Sequence, residues 1–487
     1  MRRVDVEIFN RTTYFTDTYA REKLSDYFRF RPNNYQWMPH YKSGAWDGYI
    51  TLFQRGNKIS TGAFLALKDQ IEEERNVRFA ITDFRERPKF RDADLSDRAY
   101  QNFCIRLMQR SKSGGIIKSA TGSGKTLIAG LYLKSLIVNG CFIVDELTLM
   151  DQARRALKKV IGEEIGEIGD GWFAPARVTV ATVQTLFLHK DNPKFIKWHQ
   201  DLDVLFIDEL HLMLNRRNNE VVKTMQPRVV FGLTATLELN KEGVRLPAFA
   251  LCGPVLFEYN QEQGTKEGFL APAIVCGVKV IQEGNGDKYH VEYDDLIVHS
   301  RVRNRAIIKL TEEAYERGKY TVILVERVAH LKLLSEKLAH IPHRVVYGAK
   351  KRVERVISKR KLDKGEIKLL ICNRVFKKGV DIPSLDCIIE AAAYRSKNDA
   401  IQKFGRLKRM KIGKAGAVYF DINDRSPDGI RYRRYGWNRF ERGARSRVKA
   451  FKARSIPVVF TEWNGNAGRI FDKAERTLGK FIRTLAV

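Results

Sequence analysis

The chain has 487 residues, 44% of them hydrophobic, with 87 Lys and Arg against 57 Asp and Glu and a net charge of +30. That length exceeds one ordinary domain and suggests about three, and the apolar content excludes a compositionally disordered chain. The charge favours a polyanionic partner; with no apolar run of about 18 residues and no signal-peptide pattern in MRRVDVEIFNRTTYF, nucleic acid is preferred to a membrane.

Residues 1–92 are rich in aromatic and basic side chains and alternate like strands, which predicts a small N-terminal α+β module. From about Gly115 one pattern recurs: a short apolar run, a turn, an amphipathic segment. The first series is Gly115–Lys118, Cys141–Val144, Val178–Ala181, Val204–Ile207 and Val229–Leu233, with helices expected over Thr126–Leu136 and Leu147–Val160. The second is Thr321–Val325, Arg344–Tyr347, Lys368–Cys372, Cys387–Glu390 and Ala417–Asp421. Buried strands alternating with helices read as parallel sheets covered on both faces. The prediction is two α/β domains, 93–258 and 301–487, joined by a connection at 259–300 with little core of its own. The second carries a basic, aromatic-rich extension from about residue 425. Cys104, Cys141, Cys252, Cys276, Cys372 and Cys387 form no C-x-x-C pair. They read as buried reduced thiols in a cytoplasmic protein rather than a zinc site.

The string Ser119-Ala120-Thr121-Gly122-Ser123-Gly124-Lys125-Thr126 lies between an apolar run and a helix, the context of a phosphate loop. Glycines let backbone N–H groups turn toward phosphate oxygens, and the following helix adds its positive end. Lys125 is placed for the β- and γ-phosphates and Thr126 for Mg²⁺. Ser119 stands where the strict pattern has Gly. An acidic partner is needed at another strand end. Asp208-Glu209-Leu210-His211 follows the run VLFI and precedes Gly232-Leu233-Thr234-Ala235-Thr236. Asp208 is assigned to Mg²⁺ and Glu209 to positioning and deprotonating the attacking water. Asp145-Glu146, after Cys141–Val144, reads instead as the polar start of a helix.

A phosphate loop, Asp-Glu-x-His and Thr-Ala-Thr, in that order, resemble motifs I, II and III of superfamily 2 helicases. That resemblance implies two tandem RecA-like domains, ATP and Mg²⁺ as cofactors, and no metal beyond Mg²⁺. Arg98-Ala99-Tyr100-Gln101 resembles the adenine-reading motif, with Arg98 and Gln101 on the nucleotide beside Thr121, Gly122, Ser123 and Gly124. Val144–Gln152 is similar to motif Ia, with Asp145-Glu146 in place of the usual Pro-Thr. Val180–Leu186 resembles the next nucleic-acid motif. Gly379-Val380-Asp381-Ile382-Pro383 looks like motif V, which places Gly379 and Asp381 at the nucleotide. Gln402 through Arg409 matches Q-x-x-G-R-x-x-R, motif VI: Gln402, Arg406 and Arg409 are assigned to catalysis, the arginines supplying positive charge to the leaving phosphate from the opposite domain. The resemblance also implies that His211, Thr234 and Thr236 couple hydrolysis to the nucleic acid. The threonines alone would equally serve as hydroxyls capping a turn.

Phosphate contacts that tolerate any sequence use Lys, Arg, backbone N–H and hydroxyl groups. Gln152, Thr182, Gln184, Thr185, Arg374 and Trp437 are assigned to nucleic acid. Arg431–Lys452 holds nine Lys and Arg and one Glu, interleaved with Tyr432, Tyr435, Trp437, Phe440 and Phe451. It reads either as a phosphate-and-base surface or as a basic helix packed through its aromatics. Tyr35–Ile50, with Gly44, Trp46, Asp47 and Gly48, resembles the N-terminal module of the UvsW-type helicases of tailed phages, although Trp37 and Trp46 alone read as core residues. The family implies an ATP-dependent motor on branched or duplex DNA, with a single strand in its groove, acting in recombination, repair or replication in a host bacterial cytoplasm. An RNA helicase and an ATP-switched clamp are the alternatives.

Overall fold

The structure, a computed structural model, describes residues 2–92, 96–283, 288–350, 352–373, 382–394, 396–427 and 439–485. Arg374, Gly379, Asp381 and Trp437, with Tyr432 and Tyr435, lie outside the described residues. The chain forms two compact units, Met1–Ser119 with Gly124–Tyr259 and Ala120–Ser123 with Asn260–Val487.

The first unit opens with β1 (Arg2–Ile8), β2 (Thr12–Phe15), β3 (Lys58–Ser60), α1 (Thr61–Arg75) and β4 (Val77–Asp83), whose strands form a sheet in the order β3-β2-β1-β4. Val4, Val6 and Ile8 alternate inward on β1 and meet Phe15, Phe28, Phe64 and Phe79 in one core. The expected separate module is packed onto the next domain. Leu246 joins its core. The Arg11 guanidinium donates to the Leu251 carbonyl at 2.7 Å, and Asn10 Nδ2 donates to the Lys112 carbonyl at 3.0 Å.

The first RecA-like lobe contains α2 (Ala99–Arg110), β5 (Gly114–Ser119), α3 (Lys125–Ser135), β6 (Asn139–Val144), α4 (Leu147–Ile161), β7 (Gly166–Gly169), β8 (Trp172–Ala174), β9 (Val178–Thr182), α5 (Val183–Leu188), β10 (Leu202–Ile207), β11 (Val229–Thr234), α6 (Glu242–Cys252) and β12 (Val255–Tyr259). Its sheet runs β8-β7-β9-β6-β10-β11-β5-β12, parallel except for β8. All five expected strands are present. Their continuous apolar runs are buried on both faces, in one core with Ile117, Phe142, Phe206 and Phe231 and another with Ile116, Cys141, Ile143 and Ile207.

The second lobe contains β13 (Ala273–Ile281), α7 (Arg301–Glu316), β14 (Thr321–Leu324), β15 (His343–Val346), β16 (Leu369–Cys372), β17 (Cys387–Glu390), α8 (Lys397–Leu407), β18 (Ala417–Arg425), α9 (Arg439–Lys452), β19 (Val458–Glu462) and α10 (Ala467–Leu485). The sheet order is β15-β16-β14-β17-β18-β13-β19, with every pairing parallel. Here the expectation of a coreless connection fails. AIVCGVKVI is an apolar run like the others, and β13 pairs with β18 along its whole length while burying Ile274, Cys276, Val278 and Val280. The sheet also continues past residue 425, through β19. Phe440, Phe451 and Arg447 are buried, so the described part of the basic C-terminal segment packs as a helix on the second lobe. All six cysteines are free and buried. No helix among the described residues is long and apolar enough to cross a membrane.

Candidate nucleotide and nucleic-acid site

Parallel strands deliver their carboxyl ends to one edge, the place where open α/β sheets bind ligands. In the first lobe β9, β6, β10, β11 and β5 end side by side there.

At β5 the chain turns through Gly122 (φ +91°) and Gly124 (φ +85°), left-handed positions that glycine takes without steric cost. A Cβ on Gly124 would stand 2.7 Å from Gln101 Nε2. Ser119 is still within β5, opposite Tyr259, so its place makes no demand for glycine. Helix α3 begins at Lys125 and turns its first backbone N–H groups toward the loop. Lys125 Nζ donates to the Ser119 carbonyl at 3.1 Å, which holds the ammonium at the loop. Thr126 follows, half-buried.

Gln101 is fully buried. Its Oε1 accepts from Ser96 Oγ, and its Nε2 donates to Tyr100 OH at 3.2 Å. Both ends of the carboxamide are therefore engaged, and an adenine edge would replace Ser96 and Tyr100 as partners. Arg98 Nη1 donates to Tyr100 OH at 3.3 Å, and the Tyr100 ring stacks on Tyr259 with centroids 4.0 Å apart. Sequence reasoning did not single out Ser96, Tyr100 or Tyr259, although Tyr100 lies inside the quoted motif.

At β10 the Glu209 N–H donates to Asp208 Oδ1 at 3.1 Å, and Glu209 takes φ +50°. A left-handed glutamate is uncommon and costs about 1–3 kcal/mol, strain that clusters at functional sites. His211 Nδ1 lies 3.4 Å from Glu209 Oε2. At β11, Thr234 Oγ1 accepts from the Thr236 N–H at 3.3 Å, and both threonines are buried. Asp145-Glu146 opens α4, with Glu146 at its N-cap. On β9 and α5, Thr182 Oγ1 and Thr185 Oγ1 are 2.8 Å apart, and Gln184 Nε2 donates to the Asp145 carbonyl at 2.7 Å. Gln152 lies half-buried on α4. The edge is thus ordered. The residues assigned to nucleic acid sit at β9 and β6, the phosphate loop at β5, and Asp208, Glu209, His211 and Thr234 between them. Adjacent strands are about 4.8 Å apart, so these flanks are separated by roughly 19 Å.

In the second lobe Ser396 Oγ caps α8 by accepting from the Asp399 N–H at 3.3 Å. Gln402 and Arg406 are one turn apart on α8, both half-buried. Lys403 faces the other way: its Nζ donates to Glu390 Oε2 at 2.7 Å, a carboxylate that also accepts from Tyr419 OH at 2.7 Å. Past the helix, Lys414 Nζ donates to the Leu407 carbonyl at 2.6 Å and the Arg409 carbonyl at 3.1 Å. Burial lowers the Arg409 guanidinium to about 10, still cationic at neutral pH. Glu390, Lys403 and Lys414 set the seat of the motif and were missed in the sequence. Only Lys403, inside the Gln402–Arg409 string, carried a signal.

ATP and Mg²⁺ are what such a site implies, and its donors fit them. Asp208 is half-buried, and its desolvation together with Glu209 raises its carboxyl pKa against the opposing pull of Lys125. A carboxylate in that setting becomes stable as an anion when a cation stands beside it. Thr126 and Asp208 would hold Mg²⁺, and the 119–126 loop with Lys125 would hold the phosphates.

A glycine loop opening a helix, an Asp-Glu pair two strands away at the same edge of the sheet and a second parallel α/β lobe define a two-lobed P-loop protein of the RecA-like class. The family profile "Type III restriction enzyme, res subunit" matches residues 94–239, and "Helicase conserved C-terminal domain" matches 303–411, together more than half of the chain. The chain belongs to the superfamily 2 ATP-dependent helicases. It is 20% identical over 445 residues to the ATP-dependent DNA helicase uvsW of Enterobacteria phage T4, covering 82% of this chain and 86% of that one. It is 22% identical over 318 residues to the DNA 3'-5' helicase XPB of Mycobacterium tuberculosis, covering 63% of this chain and 57% of that protein. With putative helicase 22 of a Sulfolobus islandicus filamentous virus the match spans 66% of the relative's length. Among solved structures, Dbp5 of S. cerevisiae bound to RNA and ADP BeF3 superimposes with TM-score 0.55 at 14% identity, over 79% of this chain and 93% of that one, a likeness of fold.

Proposed function

We propose that the chain is a DNA-stimulated ATPase that couples hydrolysis to unwinding or branch migration of branched DNA, in phage recombination, repair or replication in a host bacterial cytoplasm. The observation that carries this reading is the ordered edge of the first lobe, with its phosphate loop and its hydroxyl- and amide-bearing flank joined through Asp208, Glu209, His211 and Thr234. Lys125 and the loop amides hold the phosphates. Bound Mg²⁺ supplies positive charge to the phosphate oxygens. Glu209 orients and deprotonates the water, with His211 beside it. Arg406 and Arg409 stabilise charge on the leaving phosphate. Thr182, Gln184, Thr185 and Gln152 contact the DNA backbone, and the relative named a DNA helicase with 82% coverage of this chain supports DNA as the substrate.

The test is ATP hydrolysis without nucleic acid and with single-stranded DNA, duplex, a four-way junction and RNA. Stimulation greatest on branched DNA is expected. Glu209→Gln should lower kcat about 10²- to 10⁴-fold, the range of a general base, and Lys125→Ala and Arg406→Ala should abolish turnover. Stimulation by RNA alone would replace this reading by an RNA helicase, and no stimulation at all by an ATP-switched clamp.

A further inference from the structure

The N-terminal module carries one exposed indole beside half-buried tyrosine rings. Trp37, expected as a core residue, is 67% exposed, and Met38, the next residue, is exposed with it. Trp46 differs: it is half-buried, and its Nε1 donates to the Tyr49 carbonyl at 2.8 Å. Cations stand over these rings. Lys42 Nζ is 5.2 Å from the Trp37 centroid, Arg31 is 4.8 Å from Tyr35 and 4.3 Å from Tyr49, and Arg29 is 4.5 Å from Tyr49. Tyr35 and Tyr41 meet edge to face at 4.8 Å. Asp47 is the one acidic residue between Arg29 and Ile50, and its Oδ1 is engaged by the Tyr49 N–H at 2.9 Å.

The segment is closely packed at two glycines. Gly48 takes φ +86°, and a Cβ there would stand 2.8 Å from the Tyr35 ring. A Cβ on Gly243 of α6 would stand 2.6 Å from the Arg31 carbonyl, so the loop is seated directly on the first lobe. An exposed indole with a cation over it suits a flat, electron-rich ring attached to a polyanion.

We propose that the exposed Trp37 indole, with Lys42 over it and the Arg31–Tyr35 pair just before it in the chain, is a stacking platform for an unpaired base of single-stranded DNA. It rests on the DNA reading above. Stacking needs the base, whereas the phosphate contacts of the motor do not. The experiment compares binding of a short single-stranded oligonucleotide with an abasic strand of the same length, by fluorescence anisotropy, for the full chain and for Trp37→Ala and Trp37→Phe. The wild type should prefer the base-bearing strand roughly 5- to 150-fold. Trp37→Ala should lose most of that preference while keeping its affinity for the abasic strand, and Trp37→Phe should restore much of it. A full preference retained by Trp37→Ala would overturn the proposal, as would an equal loss on both strands. Wild-type protein that binds neither strand would remove the DNA reading, and the platform with it.

Discussion

His330 shows how one buried side chain ties stability to pH. It is fully buried, its Nε2 is 2.8 Å from Asn304 Oδ1, and its Nδ1 has no hydrogen-bond partner among the described residues. Because Asn304 Oδ1 accepts, Nε2 carries the proton. Protonating Nδ1 would bury a cation near Arg303, and burial, followed by Arg303 and His299, pushes the imidazole down to about 3. The folded pKa is depressed, so the unfolded chain, at about 6.5, binds the extra proton first. The stabilisation is complete above about pH 6.5 and is lost as pH falls toward about 3, at about 1.4 kcal/mol per unit. Between pH 7 and 5 this amounts to about 2 kcal/mol. His330→Gln should flatten the fall of the denaturant midpoint across that interval, and an equal slope in both proteins would contradict the assignment. At this scale the strings around Lys125 and around Asp208-Glu209 are each local in the chain, and both stand at strand ends of one sheet. The exposure of Trp37 was not legible in the sequence. An indole counts as core by its apolarity, but a stretch of Pro, Gly, Asn and Ser around it supplies too few neighbours to bury it. Glu390 was illegible for the opposite reason: an acid at the end of an apolar strand gains its meaning from Lys403, which arrives from another helix.

At the scale of elements, the apolar runs of four to six residues marked most strands of both sheets, since strands covered on both faces are apolar throughout. Strand β13 was overlooked despite AIVCGVKVI. It precedes its lobe's helices and lies among polar and Gly-rich segments, and its partners β18 and β19 come more than 130 residues later. The junction of α1 and α6 was equally invisible, because two helices far apart in sequence meet there through a glycine. A Cβ on Gly62 would stand 2.2 Å from the Phe249 carbonyl and 2.8 Å from the Gly253 nitrogen. Backbone atoms cannot yield as a side-chain end can, so Gly62→Ala should force the helices apart at a cost of about 1–3 kcal/mol. The checks are a lower Tm and faster proteolytic release of the N-terminal module. An unchanged Tm and cleavage rate would show that the junction does not hold the module.

For the whole molecule, the charge of +30 and the two RecA-like lobes belong to one account. Charge recruits a polyanion without reading its sequence, and in the proposed function each lobe brings its part of the hydrolytic set: Lys125, Asp208 and Glu209 from the first, Arg406 and Arg409 from the second. Two α/β domains could be read from the chain because the strand–helix pattern repeats. Their partner could be read only as a polyanion, because charge carries no information on base, sugar or branching. The central claim is that ATP turnover moves DNA strands. It is tested most directly by following displacement of a labelled strand from a forked duplex, with ATP and Mg²⁺, by the full chain and by Lys125→Ala. Displacement by the full chain that requires ATP and is absent in Lys125→Ala is the expected result. ATP hydrolysis by the full chain without displacement above the Lys125→Ala level, on forked or four-way DNA, would contradict it.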